Sequence, residues 1–231
     1  NQKKWYFVGV LHEYLGTNEK HIREANLEGN YFINSGREGN RNKEKDKYLK
    51  DAKILEKAFE EVKNSNEYLA NRYIFYCAQS YKDAGNSYHK HAIKWYSKFL
   101  TTTAWQQEKY YACLMLGDLY EAKFEKMRYY MKSIEYDKER IEGMVFACKL
   151  ASENGLYSMV VMIYENYKNN KKPITNKLFL FSNLYNDHLL FYASISHYYL
   201  NNIATSYNII KTIISNNKVD DYMLEQTYKN L

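Results

Sequence analysis

The chain is nearly devoid of proline and poor in glycine: Pro173 stands alone, and only nine glycines are spread over 231 residues. A many-turned β protein needs more of both, so the shortage points to helices. Cysteine is scarce too. Cys77, Cys113 and Cys148 are odd in number and share no CxxC spacing. That excludes a disulfide framework and a clustered zinc site, and predicts buried free thiols in a reducing compartment. No apolar run reaches the ~18 residues a membrane helix needs, so no membrane span is expected. There is no secretory signal and no initiator methionine; the chain reads as an internal piece of a longer polypeptide or a processed product, and a cytoplasmic location is expected. Also missing are a P-loop, a dinucleotide fingerprint and a nucleophile–base–orienter set.

Charge of one sign is lacking as well. The net charge of +6 is spread along the chain, and the densest basic stretch, 37–57, is interleaved with Glu38, Glu44, Asp46, Asp51 and Glu56. Such a mixture makes a solvated helix face rather than a nucleic-acid surface, which wants an unbroken basic stripe. No RNA-reading motif appears either. Nucleic acid is therefore not an expected partner. Aromatic residues, by contrast, are plentiful: 26 Tyr against 10 Phe and 3 Trp, in a chain that is 45% hydrophobic. With abundant Lys, Asn and Ile, the tyrosine excess reflects an AT-rich genome. It also suits helix contacts, where the ring packs and the hydroxyl reaches water.

Helical periodicity organises everything from Lys45 onward. Tyr48, Ala52, Leu55, Phe59 and Val62 line one face of a first helix. Ile74, Cys77, Ala78 and Tyr81 form the next stripe, Gly85 breaks it, and Ala92, Ile93, Tyr96 and Phe99 form another. The order is large, small, aromatic, glycine, then alanine and aromatic, as in tetratricopeptide repeats, though here the connection is longer. It recurs from Gly143, with Ala147 and Cys148 at the crossing, Gly155 at the turn, Tyr157 in the wedge and Val160, Val161, Tyr164 and Tyr167 in the second helix. Twelve positions separate Cys148 from Val160, and the same interval separates Ser194 from Ser206 in a degenerate copy turning at Asn201. A fourth copy opens at Leu116–Tyr120. One hairpin cannot bury its apolar face, and a row of them can. The expected fold is therefore mainly α: tetratricopeptide-like stacked helical hairpins, an α-solenoid, over 44–231.

Residues 1–43 read differently. Trp5–Leu15 suits a strand running into a turn, with Trp5 in the core and His12-Glu13 closing it; Asn26–Ser35 is a second strand candidate. A glycine-punctuated loop, 36–42, then carries Arg37 and Arg41. Glycines let the backbone approach an anion, and guanidinium groups suit bidentate phosphate contact. This piece is too small to be a domain by itself. His89 and His91 fall in a connection and are expected in solvent; Tyr81 belongs to the hairpin core, with Gln79 and Asp83 at the surface.

The ordered blocks Trp5 with Gly9–Leu15 (GVLHEYL), Ser35–Gly39 (SGREG), Lys47–Ala52 (KYLKDA) and Arg72–Gly85, with Tyr76 inside the last, are together similar to family 2 glycosyltransferases that carry C-terminal tetratricopeptide-like repeats. The resemblance covers nearly the whole chain and begins at the last part of the GT-A-type catalytic domain. It implies a short α/β segment from the end of that domain at 1–43 and a repeat domain at 44–231. The upstream nucleotide-binding strands, the acidic metal motif and the catalytic acidic base have no counterpart here, so no catalytic residue is expected in this chain, which would not catalyse transfer alone. The resemblance implies a nucleotide-sugar donor, a protein or glycan acceptor, and a divalent metal, manganese or magnesium. His12 would be a late metal ligand, completing a carboxylate and phosphate shell. Glu13 would orient it or contact the acceptor, and Arg37 and Arg41 would contact the donor phosphates. The repeats would hold the acceptor or pair two copies into a homodimer. The alternative, favoured by the missing catalytic constellation, is a non-catalytic helical-repeat adaptor for other proteins.

Overall fold

A computed structural model describes residues 5–23, 25, 28, 29, 44, 46–168, 177–216 and 219–229. Among them the protein is mainly helical, with one two-stranded sheet near the N-terminus. It divides into two compact units, Asn1–Thr103 and Ala104–Leu231. The expected boundary after residue 43 falls beside residues outside the described set.

In the first unit, β1 (Trp5–Val8) pairs antiparallel with β2 (Tyr14–Thr17), Trp5 opposite Thr17 and Val8 opposite Tyr14. The strand expected to run into a turn within Trp5–Leu15 does so after Val8, and the chain returns as a second strand to complete a hairpin. Gly9 at φ 110° and His12 at φ 52° adopt backbone that no strand contains, and the chain reverses between them. The second strand candidate, Asn26–Ser35, falls largely outside the described residues. Three helices follow: α1 (Lys47–Val62), α2 (Glu67–Asp83) and α3 (His89–Leu100). α1 packs on α2 and α2 on α3. Asn66 starts α2 by accepting from Leu69 N at 3.0 Å, satisfying one of the first-turn N–H groups that lack a helical partner. Ala52, Ala78 and Ala92 are fully buried, and the Cys77 thiol donates to Ala52 O at 3.6 Å, so small residues hold the crossings close. Tyr81 is buried with them, as expected.

Some expectations need correction here. Tyr48 is exposed, and the buried face of α1 is Asp51, Ala52, Leu55, Ala58 and Phe59; Tyr48 sits in the first turn with the Lys47 ammonium 5.1 Å from its ring. His89 and His91 belong to the first turn of α3 rather than to a connection, and His91 stacks on Tyr81 with centroids 5.0 Å apart. Trp5 is not in the core.

The second unit contains α4 (Gln106–Leu119), α5 (Lys123–Tyr136), α6 (Glu142–Glu153), α7 (Tyr157–Lys168), α8 (His188–Tyr199), α9 (Ile203–Asn216) and α10 (Asp221–Lys229). Each of α4 to α9 packs on the next, α6 also meets α8, and α10 lies on α9. The crossing residues read from sequence are at the contacts. Cys148 and Val160 are completely buried, and the Ser206 hydroxyl donates to Ser194 O at 2.8 Å. Gly117 lies directly under the Tyr130 ring, where any Cβ would overlap it. Gly155 (φ 72°) and Asn201 (φ 62°) make the left-handed turns that end α6 and α8. All three cysteines are buried free thiols, and burial pushes Cys113 and Cys148 up to about 12.

Candidate functional site

Residues of two of the blocks that carry the resemblance, Gly9–Leu15 and Arg72–Gly85, meet in the first unit at the tip of the β hairpin, while Ser35–Gly39 lies outside the described residues. Arg72, on the second turn of α2, sends Nε and Nη2 to His12 O at 2.9 and 2.5 Å. Its guanidinium carbon lies 4.9 Å from the Tyr76 ring centre and 5.6 Å from that of Tyr14. Tyr76, one helical turn beyond Arg72, stacks face to face on the His12 imidazole, with centroids 3.9 Å apart and planes 7° from parallel. Tyr14 in turn meets Tyr68 edge-on at 5.5 Å. A second clamp holds the turn's other end: Val10 N donates to Tyr73 OH at 3.1 Å.

Each piece has a local cause. Residues 68, 72 and 76 are four apart on α2, so Tyr68, Arg72 and Tyr76 share one helix face. The left-handed His12 backbone turns its carbonyl to that face, and the fork of N–H donors on Arg72 fixes it there. The imidazole plane is then set by the tyrosine beneath it. Burial raises the Tyr14 hydroxyl above its usual range, reinforced by Tyr68 and partly offset by the Arg72 charge.

Of the residues predicted for a site, His12 is in this cluster and Glu13 follows it on the exposed side of the turn. Arg37 and Arg41 lie outside the described residues. His12 and Glu13 offer one imidazole and one carboxylate. Among the described residues, no group of three or more His, Cys, Asp or Glu is placed to hold a metal ion. A manganese or magnesium ion at His12 would therefore take most of its shell from elsewhere. Arg72 escaped the sequence reading as a positioning residue. The signal for it was its four-residue spacing from Tyr68 and Tyr76 on a stripe facing away from the Ile74–Cys77–Tyr81 core.

The sheet above this cluster keeps an apolar outer face. Trp5, Phe7 and Leu15 are 43%, 78% and 54% exposed, and Phe7 pairs with Leu15 across the ladder. Two strands alone bury little, and this face is uncovered by the described residues.

A second polar cluster, in the other unit, is closed to solvent. Arg140 and Glu142 are both 0% exposed and form a forked ion pair, Nη2–Oε1 at 2.7 Å and Nε–Oε2 at 3.2 Å. Tyr110 and Tyr185 donate their hydroxyls to Glu142 Oε2 at 3.1 and 2.9 Å. Arg140 also donates to Gln107 Oε1, Leu178 O and Phe179 O, and its guanidinium carbon lies 4.1 Å from the Tyr110 ring centre. Gln107 continues to Asp137 Oδ2 at 2.6 Å, where Lys177 also binds at 2.7 Å. Burial acts to raise the Asp137 carboxyl, but hydrogen bonds from Lys177 and Gln107 outweigh it and hold the group below the usual carboxylate range. The network pins 177–181 against α4 and the start of α6. It is a structural clasp, and nothing in the run Asp137-Lys138-Glu139-Arg140 separates it in sequence from a solvated turn.

No protein-family model matches the chain, and neither a curated protein nor a solved structure is significantly similar to it.

Proposed function

We propose that the chain is the C-terminal portion of a glycosyltransferase that transfers a sugar from a nucleotide-sugar donor to a protein or glycan acceptor. One observation carries this reading. Two of the four blocks that resemble family 2 glycosyltransferases, the one with His12-Glu13-Tyr14 and the one with Arg72-Tyr73 and Tyr76, interlock at one place although His12 and Arg72 are 60 residues apart in sequence.

In this reading His12 would be one ligand of a divalent metal, its ring orientation set by the stack on Tyr76, and Arg72 and Tyr76 are positioning residues. The bound metal would neutralise the charge that develops on the leaving diphosphate. Glu13 contacts the acceptor or orients His12, and Arg37 and Arg41 contact the phosphates. The helical units hold the acceptor or a second copy. The alternative of a helical-repeat adaptor is favoured by a different observation: Tyr198, Tyr199, Leu200, Ile203 and Tyr207 leave an exposed apolar patch at the α8–α9 turn.

Calorimetry with the full polypeptide, a nucleoside diphosphate and manganese tests the first reading. His12→Ala should weaken diphosphate binding at least about tenfold, the loss of one metal-ligand contact or its support, and only when manganese is present. Equal affinity of the variant and the parent removes His12 from the metal site. Absence of any diphosphate binding by the full polypeptide favours the adaptor.

A further inference from the structure

In the second unit a cavity of about 480 Å³ opens between α5, α6, α8 and the start of α10, within the ~300–1,000 Å³ range of small-ligand sites. Its floor is aromatic, with Tyr130 and Tyr192 buried. Its rim is acidic: Asp118, Glu153 and Asp220 line it and are all exposed. His188 sits between floor and rim with its side chain 8% exposed. Its Nδ1 lies 2.9 Å from Asn186 O, so Nδ1 carries a proton and donates there, and in the ring bearing that single proton Nε2 is a lone-pair acceptor. Nε2 faces Asp220 Oδ2 at 4.0 Å, beyond hydrogen-bond reach, and two acceptors cannot satisfy each other. Asp220 Oδ1 is occupied, accepting from Met223 N at 2.8 Å at the start of α10.

The carboxylates act on the floor as well as on the rim. Burial raises the Tyr192 hydroxyl, and Glu153 and Asp220 raise it further; burial likewise raises Tyr130, with Asp118 and Glu153 adding to it. Lys126 and Lys149 also border the cavity, yet Lys126 Nζ is 3.3–3.4 Å from Asp118 O and Gly117 O, held at the carbonyl end of α4. Three carboxylates, Asp118, Glu153 and Asp220, thus outnumber the two ammonium groups, and the lining is acidic over tyrosine faces.

We propose that this cavity binds a guanidinium group. The chemistry matches atom by atom. A guanidinium carries donors only, in a planar fork, while Asp220 Oδ2, the Glu153 carboxylate and His188 Nε2 are acceptors. Its flat cation also stacks on tyrosine, which an ammonium does less well. This ligand class is independent of the glycosyltransferase reading, because no residue of the cavity belongs to the His12 cluster. The guanidinium can come from an arginine in a peptide or from a free guanidino compound.

The 231-residue chain titrated with N-acetyl-arginine amide, by calorimetry or by NMR shifts, tests it. Saturable binding is expected, with the uncharged isostere N-acetyl-citrulline amide weaker by at least about tenfold, the factor of one charge-assisted contact. Asp220→Asn should weaken arginine binding by a similar factor, and Asn caps a helix as well as Asp does, so α10 is kept. Glu153→Gln should weaken it again, with thermal melts checking that both variants fold. Tighter binding of Gly-Arg-Gly than of the amide identifies a peptide ligand, and equal binding a free guanidino compound. Citrulline binding as tightly as arginine, variants binding arginine unchanged, or no saturable arginine binding would each overturn the proposal.

Discussion

Replacing Glu142 by glutamine keeps the shape of the side chain and removes its charge. In the native protein that carboxylate receives two donors from Arg140 and two tyrosine hydroxyls, with no solvent access for either ion. In Glu142→Gln the guanidinium stays buried without its counter-ion, and one carboxylate oxygen becomes an NH₂ that meets donors. Breaking a buried pair by removing one partner costs about 3–5 kcal/mol. Gln107 and the Leu178 and Phe179 carbonyls still accept from Arg140, which favours the lower half of that range. Against a total stability of about 5–15 kcal/mol for a domain, this is a large fraction. The melting temperature should fall by about 10–15 °C for a unit of this size. Urea denaturation followed by circular dichroism supplies the free energy directly. The double substitution Arg140→Met with Glu142→Leu should be less damaging than Glu142→Gln alone, because no charge is then left buried. A loss below about 1 kcal/mol for Glu142→Gln would show that the cluster is not the clasp described.

Two further expectations come from other parts of the second unit. His197 is buried with neither ring nitrogen hydrogen-bonded, and burial lowers its pKa below the ordinary 6.5, with Lys168 assisting and Glu165 opposing. The unfolded chain therefore takes up a proton that the folded one refuses, so stability should hold above about pH 7 and decline as pH falls through 6.5. His197→Phe should flatten that decline between pH 7.5 and 5.5 in urea denaturation, and an unchanged slope would count against it. Gly117→Ala places a methyl inside the Tyr130 ring, and the Tyr130 hydroxyl donates to Asp118 Oδ1 at 2.7 Å, so the ring cannot swing away freely. A destabilisation of about 1–3 kcal/mol is expected, and a neutral melt would mean that α4 and α5 do not cross at Gly117.

The helices were legible because their signals are local. Small residues at Cys77-Ala78, Cys148 and Ser194, breaks at Gly85, Gly155 and Asn201, and a period of 3.6 all survive without tertiary information. The strand running into a turn at His12-Glu13 is legible in Trp5–Leu15, but the turn opens already at Gly9 and the returning strand Tyr14–Thr17 is not, because its pairing with Trp5–Val8 depends on the left-handed backbone at Gly9 and His12. Trp5 was placed in the core on its hydrophobicity, yet it lies on the sheet face turned away from α2. His12 stood out in sequence, but its partners Arg72 and Tyr76 are 60 and 64 residues distant, beyond any periodicity. The Arg140–Glu142 clasp and the acidic cavity were illegible for the same reason. Their members come from several helices, and each is unremarkable in its own neighbourhood.

The central claim is that His12, gripped by Arg72 and stacked on Tyr76, serves a sugar-nucleotide reaction. The most direct measurement is manganese-dependent release of nucleoside diphosphate from a nucleotide sugar by the full polypeptide, compared with its His12→Ala and Arg72→Lys variants. The expected result is turnover by the parent, a loss of at least about 100-fold in His12→Ala, as for an essential metal ligand or its support, and an intermediate loss in Arg72→Lys, which keeps the charge but not the fork. Full turnover by His12→Ala, or no turnover of any nucleotide sugar by the parent, would contradict it.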